Sequence, residues 1–215
     1  MEGSTANPGQ DSRAVIVLCG GKSRRMGSDK ASLPFAETTM LAQVVGVAQQ
    51  LATHVLIVKA SGQTLPEIPL DVTVVEDAFP DEGPLRGIVT GLAALPSKVQ
   101  RVMVLGCDMP LVEAEILAPL FDQLHDFDAV IPEVAGRAQP LAAVYQAWVL
   151  PILQKSLESG NRKMLTSIQA LNIRWIELPA SASFDNVNTP ADYAQAKAAW
   201  LAGMSSGEPS RKPST

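Results

Sequence analysis

"AVIVLCGGKSRRMGSDK", residues 14–30, decides the fold. Five unbroken apolar residues, mostly β-branched, run into the adjacent glycines Gly20 and Gly21. Lys22, Arg24, Arg25 and Lys30 follow, with Asp29 the one acid among them. A short, continuous apolar run of this kind reads as a strand covered on both faces, the situation of a parallel sheet in an α/β protein. The chain as a whole carries a net charge of -5. Positive charge and bare backbone gathered at the end of a buried strand therefore point to an anionic guest. Without side chains, Gly20 and Gly21 let the backbone approach a ligand and aim N–H groups at it. A triphosphate is the natural guest; a tight turn with a solvated basic face is the alternative. Two other phosphate loops do not fit. Gly21 and Gly27 are separated by five residues and followed by Ser28, which is not a P-loop, and "GGKSRRMG" lacks the G-x-G-x-x-G of a dinucleotide site.

Working outward, further short apolar runs alternate with amphipathic stretches. "HVLIV" (54–58), "VTVV" (72–75), "RVMVLG" (101–106) and "DAVI" (128–131) read as strands, and "LAAVY" (141–145) and "RWIEL" (174–178) as further ones. Residues 38–52 carry Leu41, Val44, Val45, Ala48 and Leu51 at helical spacing; 86–95, 113–124, 147–158 and 161–171 read the same way. Strand and helix alternating predicts an α/β fold with a mainly parallel central sheet and right-handed crossovers. "NTPADYAQAKAAWL" opens a last helix with Thr189 at the N-cap, Pro190 at the first position and Asp192 in the first turn. "IPEVAGRAQP" (131–140) reads as a loop. Residues 1–12 read as a disordered leader, 13–202 as a single domain and 203–215 as a flexible tail.

With 215 residues, 47% of them hydrophobic, the chain has the material for one sizeable core. Its acidity argues against nucleic-acid binding, and no apolar stretch is long enough to span a bilayer. The two cysteines, Cys19 and Cys107, lack metal-ligand spacing and read as small buried apolar residues in a reducing cytoplasm. Trp148, Trp175 and Trp200 read as packing residues.

In an open parallel sheet, ligands bind beyond the carboxyl ends of the strands. Those ends carry Cys19-Gly20-Gly21, Lys59, Glu76-Asp77 and Asp108. Asp108, in "GCDMP", reads either as a helix cap for a segment starting near Pro110 or as a hard oxygen ligand for a nucleotide-bound Mg²⁺. Asp77 shares that ambiguity. "EDAFPDEGPLRGI" (76–88) is a glycine- and proline-rich turn opening a helix, where Gly83 and Gly87 permit close approach to a flat base.

Together these pieces resemble the molybdenum cofactor guanylyltransferases, a family within the Rossmann-like nucleotidyltransferases, and the resemblance implies an α/β, three-layer Rossmann-like fold with a mainly parallel central sheet. "LCGGKSRRMGSDKASL" resembles their L-A-G-G-x-S-x-R-M-G-x-D-K signature, "EDAFPDEGPLRGI" their acidic strand end and G-P-L-x-G, and "LGCDMPLV" their metal-binding aspartate turn. "GNRKML" and "FDNVNTPADY" resemble the two later motifs, and the matches run in family order from residue 14 to about 195. The resemblance implies that Leu18, Cys19, Gly20 and Gly21 lie against the nucleotide through backbone groups. It implies Arg25 and Lys30 at the phosphates, Asp77 at the nucleoside and Asp108 on Mg²⁺. Lys30, Arg25 and Asp108 would be the catalytic set, and Arg162, Lys163, Asn186 and Asn188 would lie toward the pterin phosphate. Cys19 and Arg86 stand where the family usually has alanine; Arg86 would either crowd the base or add a phosphate contact.

The implied reaction is GMP transfer: the terminal phosphate of molybdopterin attacks the α-phosphorus of GTP and pyrophosphate leaves. No enzyme nucleophile is required, which suits a chain with no Ser-His or Cys-His set. A molybdoenzyme or its chaperone is the implied recipient of the product. A cytidylyltransferase acting on the same pterin, a sugar-1-phosphate nucleotidyltransferase and a non-catalytic nucleotide-binding carrier are the rival readings.

Overall fold

The computed structural model describes residues 12–20, 29–79 and 82–205. In chain order its elements are β1 (Arg13–Leu18), β2 (Pro34–Phe35), β3 (Thr38–Thr39), α1 (Met40–Leu51), β4 (His54–Ala60), β5 (Thr73–Asp77), α2 (Pro84–Ala93), β6 (Arg101–Gly106), α3 (Ala114–Asp122), β7 (Ala129–Val134), β8 (Arg137–Ala138), β9 (Ala142–Gln146), α4 (Leu150–Glu158), α5 (Met164–Ser167), β10 (Ile173–Leu178) and α6 (Pro190–Ser205). The main sheet runs β10-β7-β9-β6-β1-β4-β5, with β8 pairing β7 off this path. β1 is paired in parallel with β4 on one side and β6 on the other. β9 lies antiparallel to both β6 and β7. The sheet is thus mainly parallel, as the unbroken apolar runs predict.

Alternation along β1 sorts the core into two layers. Val15, Val17 and Cys19 face one way, toward Leu41, Val44, Leu117 and Phe121 of α1 and α3. Ala14, Ile16 and Leu18 face the other, toward Leu85, Ile88 and Leu153 of α2 and α4 and Met164 of α5. Burying each large aliphatic side chain contributes about 1.5–3 kcal/mol, and this two-sided demand is why β1 carries no polar residue after Arg13. A smaller cluster of Phe35, Met40, Leu111, Val187 and Ala196 fixes α6 to the β2–β3 hairpin. Trp200 joins it edge-on to Phe35, ring centroids 5.9 Å apart.

α2 lies very close to the sheet because of Gly91. A Cβ there would stand 2.8 Å from both Cδ1 and Cγ2 of Ile16 and 3.1 Å from Val58 Cγ2. Alanine in a helix interior ordinarily gains about 1 kcal/mol over glycine. Here overpacking, typically about 1–3 kcal/mol, opposes it. Gly91→Ala is therefore expected to lower the urea midpoint, and an unchanged or raised midpoint would show that the helix has room to move.

Three boundaries differ from the sequence expectation. Residues 131–140 are not a loop: β7 and β8 form a hairpin, with Glu133 opposite Ala138 and Val134 opposite Arg137. Its two-residue turn, Ala135 and Gly136, has φ of 49° and 71°, the paired positive values of a tight hairpin turn. Alanine at the first of these hides the turn from a residue-type reading. The last helix continues to Ser205, past residue 202 where the domain was expected to end. Ser12, placed in the leader, accepts backbone bonds from Gln100 and Arg101 through its carbonyl. Trp148 and Trp175 are not buried packing residues; they remain 56% and 50% exposed.

Candidate active site

β6 lies on the opposite side of β1 from β4, so the connections leaving β1 and β6 diverge at their carboxyl ends. That divergence opens a crevice where open α/β sheets bind ligands. Cys19 N donates to Val58 O at 2.8 Å and Cys107 N donates to Leu18 O at 3.0 Å, so both chains stay in the ladder up to the crevice. Gly106 is the last residue of β6. A Cβ there would stand 2.6 Å from Asp108 Oδ1, so only glycine leaves the carboxylate in place.

Lys30 opens a short 3₁₀ helix, Lys30–Ser32, capped by Asp29, whose Oδ1 accepts from Ala31 N at 3.1 Å. Asn188 comes from the far end of the chain. Val187 N donates to Asp108 O at 2.8 Å and docks that segment onto the Asp108 turn. Asp192 Oδ2 then accepts from Asn188 N at 2.9 Å and Thr189 N at 2.8 Å, while Asp192 N donates to Thr189 Oγ1 at 3.2 Å. This reciprocal cap starts α6 and fixes Asn188 just before it. These backbone bonds hold the Asp192 carboxyl below its usual range, Asn188 N–H being the largest cause.

Lys30 Nζ donates to Asn188 Oδ1 at 2.7 Å and lies 3.7 Å from Asp108 Oδ2. The three side chains, with Leu18, Cys19 and Gly20, line a cavity of about 280 Å³. Asn188 also lines a second, larger cavity of about 870 Å³ with Asn186, Arg137 and Gln139. Burial pushes the Asp108 carboxyl above its ordinary range, and Lys30 offsets only part of that. Asp108 is therefore a carboxylate short of positive charge in a ligand-sized cavity. One such oxygen donor, with phosphates as the remaining ligands, fits Mg²⁺. Among the described residues no group of three or more His, Cys, Asp or Glu is placed to hold a metal by itself. The α3 helix begins at Ala114 with Glu113 at its N-cap, which removes the helix-cap reading of Asp108.

The other expected site residues are placed as follows. Asp77 is buried and its Oδ1 accepts from Phe79 N at 2.9 Å, tightening the turn after β5. Arg162 and Lys163 are exposed and line neither cavity. Arg162 Nη2 donates to Glu82 Oε1 at 2.9 Å. The other oxygen of Glu82 accepts from Arg86 Nε at 2.7 Å, and Arg86 lies over the Phe79 ring, 5.1 Å from its centroid. Gly21 and Arg25, with Lys22 and Arg24, lie outside the described residues.

Two residues were missed. Gln63 Nε2 donates to Cys19 O at 3.2 Å and to Asp29 Oδ2 at 2.8 Å, and its Oε1 accepts from Ala60 N at 3.0 Å. It thus stitches the ends of β1 and β4 to the helix that carries Lys30. A glutamine inside "SGQTLP" gives no sequence signal of that role. Gly106 did give one, a glycine at the end of a buried strand.

Residues 15–172 match the family described as the MobA-like NTP transferase domain. The protein is accordingly an enzyme of the nucleotidyltransferase class. It is 36% identical over 192 residues to the probable molybdenum cofactor guanylyltransferase of Mycobacterium avium, covering 86% of this chain and 96% of that one. The probable molybdenum cofactor guanylyltransferase of Carboxydothermus hydrogenoformans is 32% identical over 186 residues, covering 83% and 92%. The chain belongs to the molybdenum cofactor guanylyltransferase family. The same fold occurs in the crystal structure of molybdopterin-guanine dinucleotide biosynthesis protein A from Archaeoglobus fulgidus, with TM-score 0.70, 24% identity, and coverage of 88% of this chain and 99% of that one. No helix among the described residues is long and apolar enough to cross a membrane.

Proposed function

We propose that this enzyme transfers GMP from GTP to the phosphate of molybdopterin, forming molybdopterin guanine dinucleotide and releasing pyrophosphate. The observation that carries the proposal is Asn188. It lines both cavities and accepts from Lys30, so one hydrogen bond joins the two places where two substrates would sit. The smaller cavity takes the phosphates of GTP, with the backbone of Leu18, Cys19, Gly20 and Gly21 against the nucleotide and Asp77 toward the nucleoside. The larger one takes the pterin, toward Asn186 and Asn188.

Asp108 would hold Mg²⁺, which supplies positive charge to the phosphates when bound. Lys30 adds fixed positive charge where two anions must approach and where pyrophosphate leaves, and Arg25 would join it by its place in the signature. No covalent enzyme intermediate is needed, so the contribution of the protein is positioning and charge stabilisation. Arg162 and Lys163 would meet the pterin phosphate; for Arg162 this means exchanging Glu82 for a phosphate oxygen. The chain from Ser12 to Ser205 would act as one domain, in the cytoplasm, without nucleic acid. The product would pass to a molybdoenzyme or its chaperone.

Calorimetric titration with GTP, CTP, ATP and UTP, each with Mg²⁺, tests this. GTP is expected to bind at least tenfold more tightly than the other three. A preference for CTP would replace the proposal with cytidylyl transfer. Failure of all four to bind, with and without molybdopterin, would overturn the nucleotide reading of the smaller cavity.

A further inference from the structure

Cys19 and Cys107 take no part in the chemistry above, yet the fold brings them together at its centre. β1 and β6 are parallel neighbours in register from Arg13 opposite Arg101 to Leu18 opposite Gly106. Cys19 and Cys107 are the next pair along. The bond from Cys107 N to Leu18 O, 3.0 Å, shows that the ladder continues to this point. Alternation places both side chains on one face, since Val15, Val17 and Cys19 share a cluster with Met103, Leu105 and Cys107. The two side chains are thus neighbours on that face, at the place where both line the smaller cavity. Neighbouring strands lie about 4.7–4.9 Å apart. That spacing falls inside the Cα separation of about 4.4–6.8 Å that a disulfide requires.

Both thiols are free, and both line the smaller cavity. Cys19 immediately precedes Gly20, and Cys107 immediately precedes Asp108. Space-filling alone accounts for one small residue at each position. It does not account for two facing thiols at the wall of a ligand cavity.

We propose that Cys19 and Cys107 form a modification site, a dithiol that a low-molecular-weight disulfide converts into an intramolecular Cys19–Cys107 disulfide that blocks nucleotide binding. One thiolate attacks a sulfur of the small disulfide, giving a mixed disulfide and releasing one small thiol. The second protein thiol loses its proton and attacks the protein sulfur of that mixed disulfide, releasing the other small thiol. The protein loses two electrons and two protons, and the reagent gains them. Bringing the two sulfurs to bonding distance turns both side chains in the cavity wall, beside Gly20 and Asp108. It shifts the Gly20 backbone and the Asp108 carboxylate. It also disturbs the Gln63 amide, which lies 3.8 Å from the Cys19 sulfur. Because the thiols lie in the cavity wall, bound nucleotide shields them.

The blocking effect rests on the nucleotide reading of that cavity, whereas formation of the disulfide does not. The test incubates the full chain with oxidised glutathione, alkylates the remaining thiols and reads intact mass, with GTP titration in parallel. The wild type is expected to lose about 2 Da, to take up no alkyl group and to bind GTP at least tenfold more weakly than its own reduced form. Dithiothreitol restores the affinity, and GTP with Mg²⁺ during the incubation slows the reaction. Cys107→Ala and, should it fail to fold, Cys19→Ala form no internal disulfide and are compared with their own reduced forms. Two alkylated thiols in the treated wild type would overturn the modification site. A formed disulfide with unchanged GTP affinity would overturn the block. Absence of GTP binding in the untreated protein would overturn the nucleotide reading and the block with it, while the mass still decides the disulfide.

Discussion

Lys30→Ala is expected to slow GMP transfer by about 10²–10³-fold at saturating substrates, the usual effect of deleting one preorganised charged contact to a developing anion. The structure gives this a sharper form than a lysine in a phosphate loop would. Lys30 Nζ is fixed by Asn188 Oδ1 at 2.7 Å and stands 3.7 Å from Asp108. It spends no time searching for its position when the phosphates arrive. The family resemblance puts Asn188 toward the pterin phosphate alone. The hydrogen bond couples the two sides, so Lys30→Ala and Asn188→Ala are expected to be non-additive, the double variant less impaired than the two single losses combined. Turnover within twofold of wild type for Lys30→Ala would remove the lysine from the reaction. Strict additivity would mean that the bond to Asn188 does not position it.

Asp108→Asn is expected to weaken Mg²⁺-dependent GTP binding by about 10²-fold or more, since a neutral amide replaces a charge-bearing donor to a hard cation. The same substitution is expected to raise the melting temperature. Burial raises the native pKa of Asp108, so between the ordinary carboxylate range and that raised value the native state holds more protons than the unfolded chain. Stability contributed by this group therefore falls as pH rises through that window, and the penalty is larger at neutral pH than at pH 4. An isosteric amide escapes it. Melting curves at pH 4 and pH 7 check the sign: the gain of the variant over wild type should be larger at pH 7. A variant that is both inactive and less stable at pH 7 would mean that Asp108 holds the fold together and would undo its assignment as a ligand-binding carboxylate. The stability lost to this side chain is the mark of a group kept for function.

The strands were legible because two-sided burial leaves a strong trace. β1 and β6 carry apolar residues at nearly every position. Lys30, Asp108, Gly20 and Thr189 with its cap were legible for local reasons: bare backbone, charge and capping chemistry each act within a few residues. The hairpin at 134–137 was hidden by Ala135, a residue type that rarely takes positive φ. Gln63 was hidden because its bonds reach across 34 and 44 residues of sequence.

The sequence by itself determined the alternation of strand and helix, the rim on which ligand residues stand and the family motifs. These rest on periodicity and on contacts between near neighbours in the chain. Only the tertiary structure decided that Lys30 meets Asn188 across 158 residues, that Asp108 faces a cation rather than capping a helix, and that Cys19 and Cys107 stand side by side on one face of the sheet. Those facts depend on strand order and register, which are set by burying the whole sheet at once and not by any local stretch of residues.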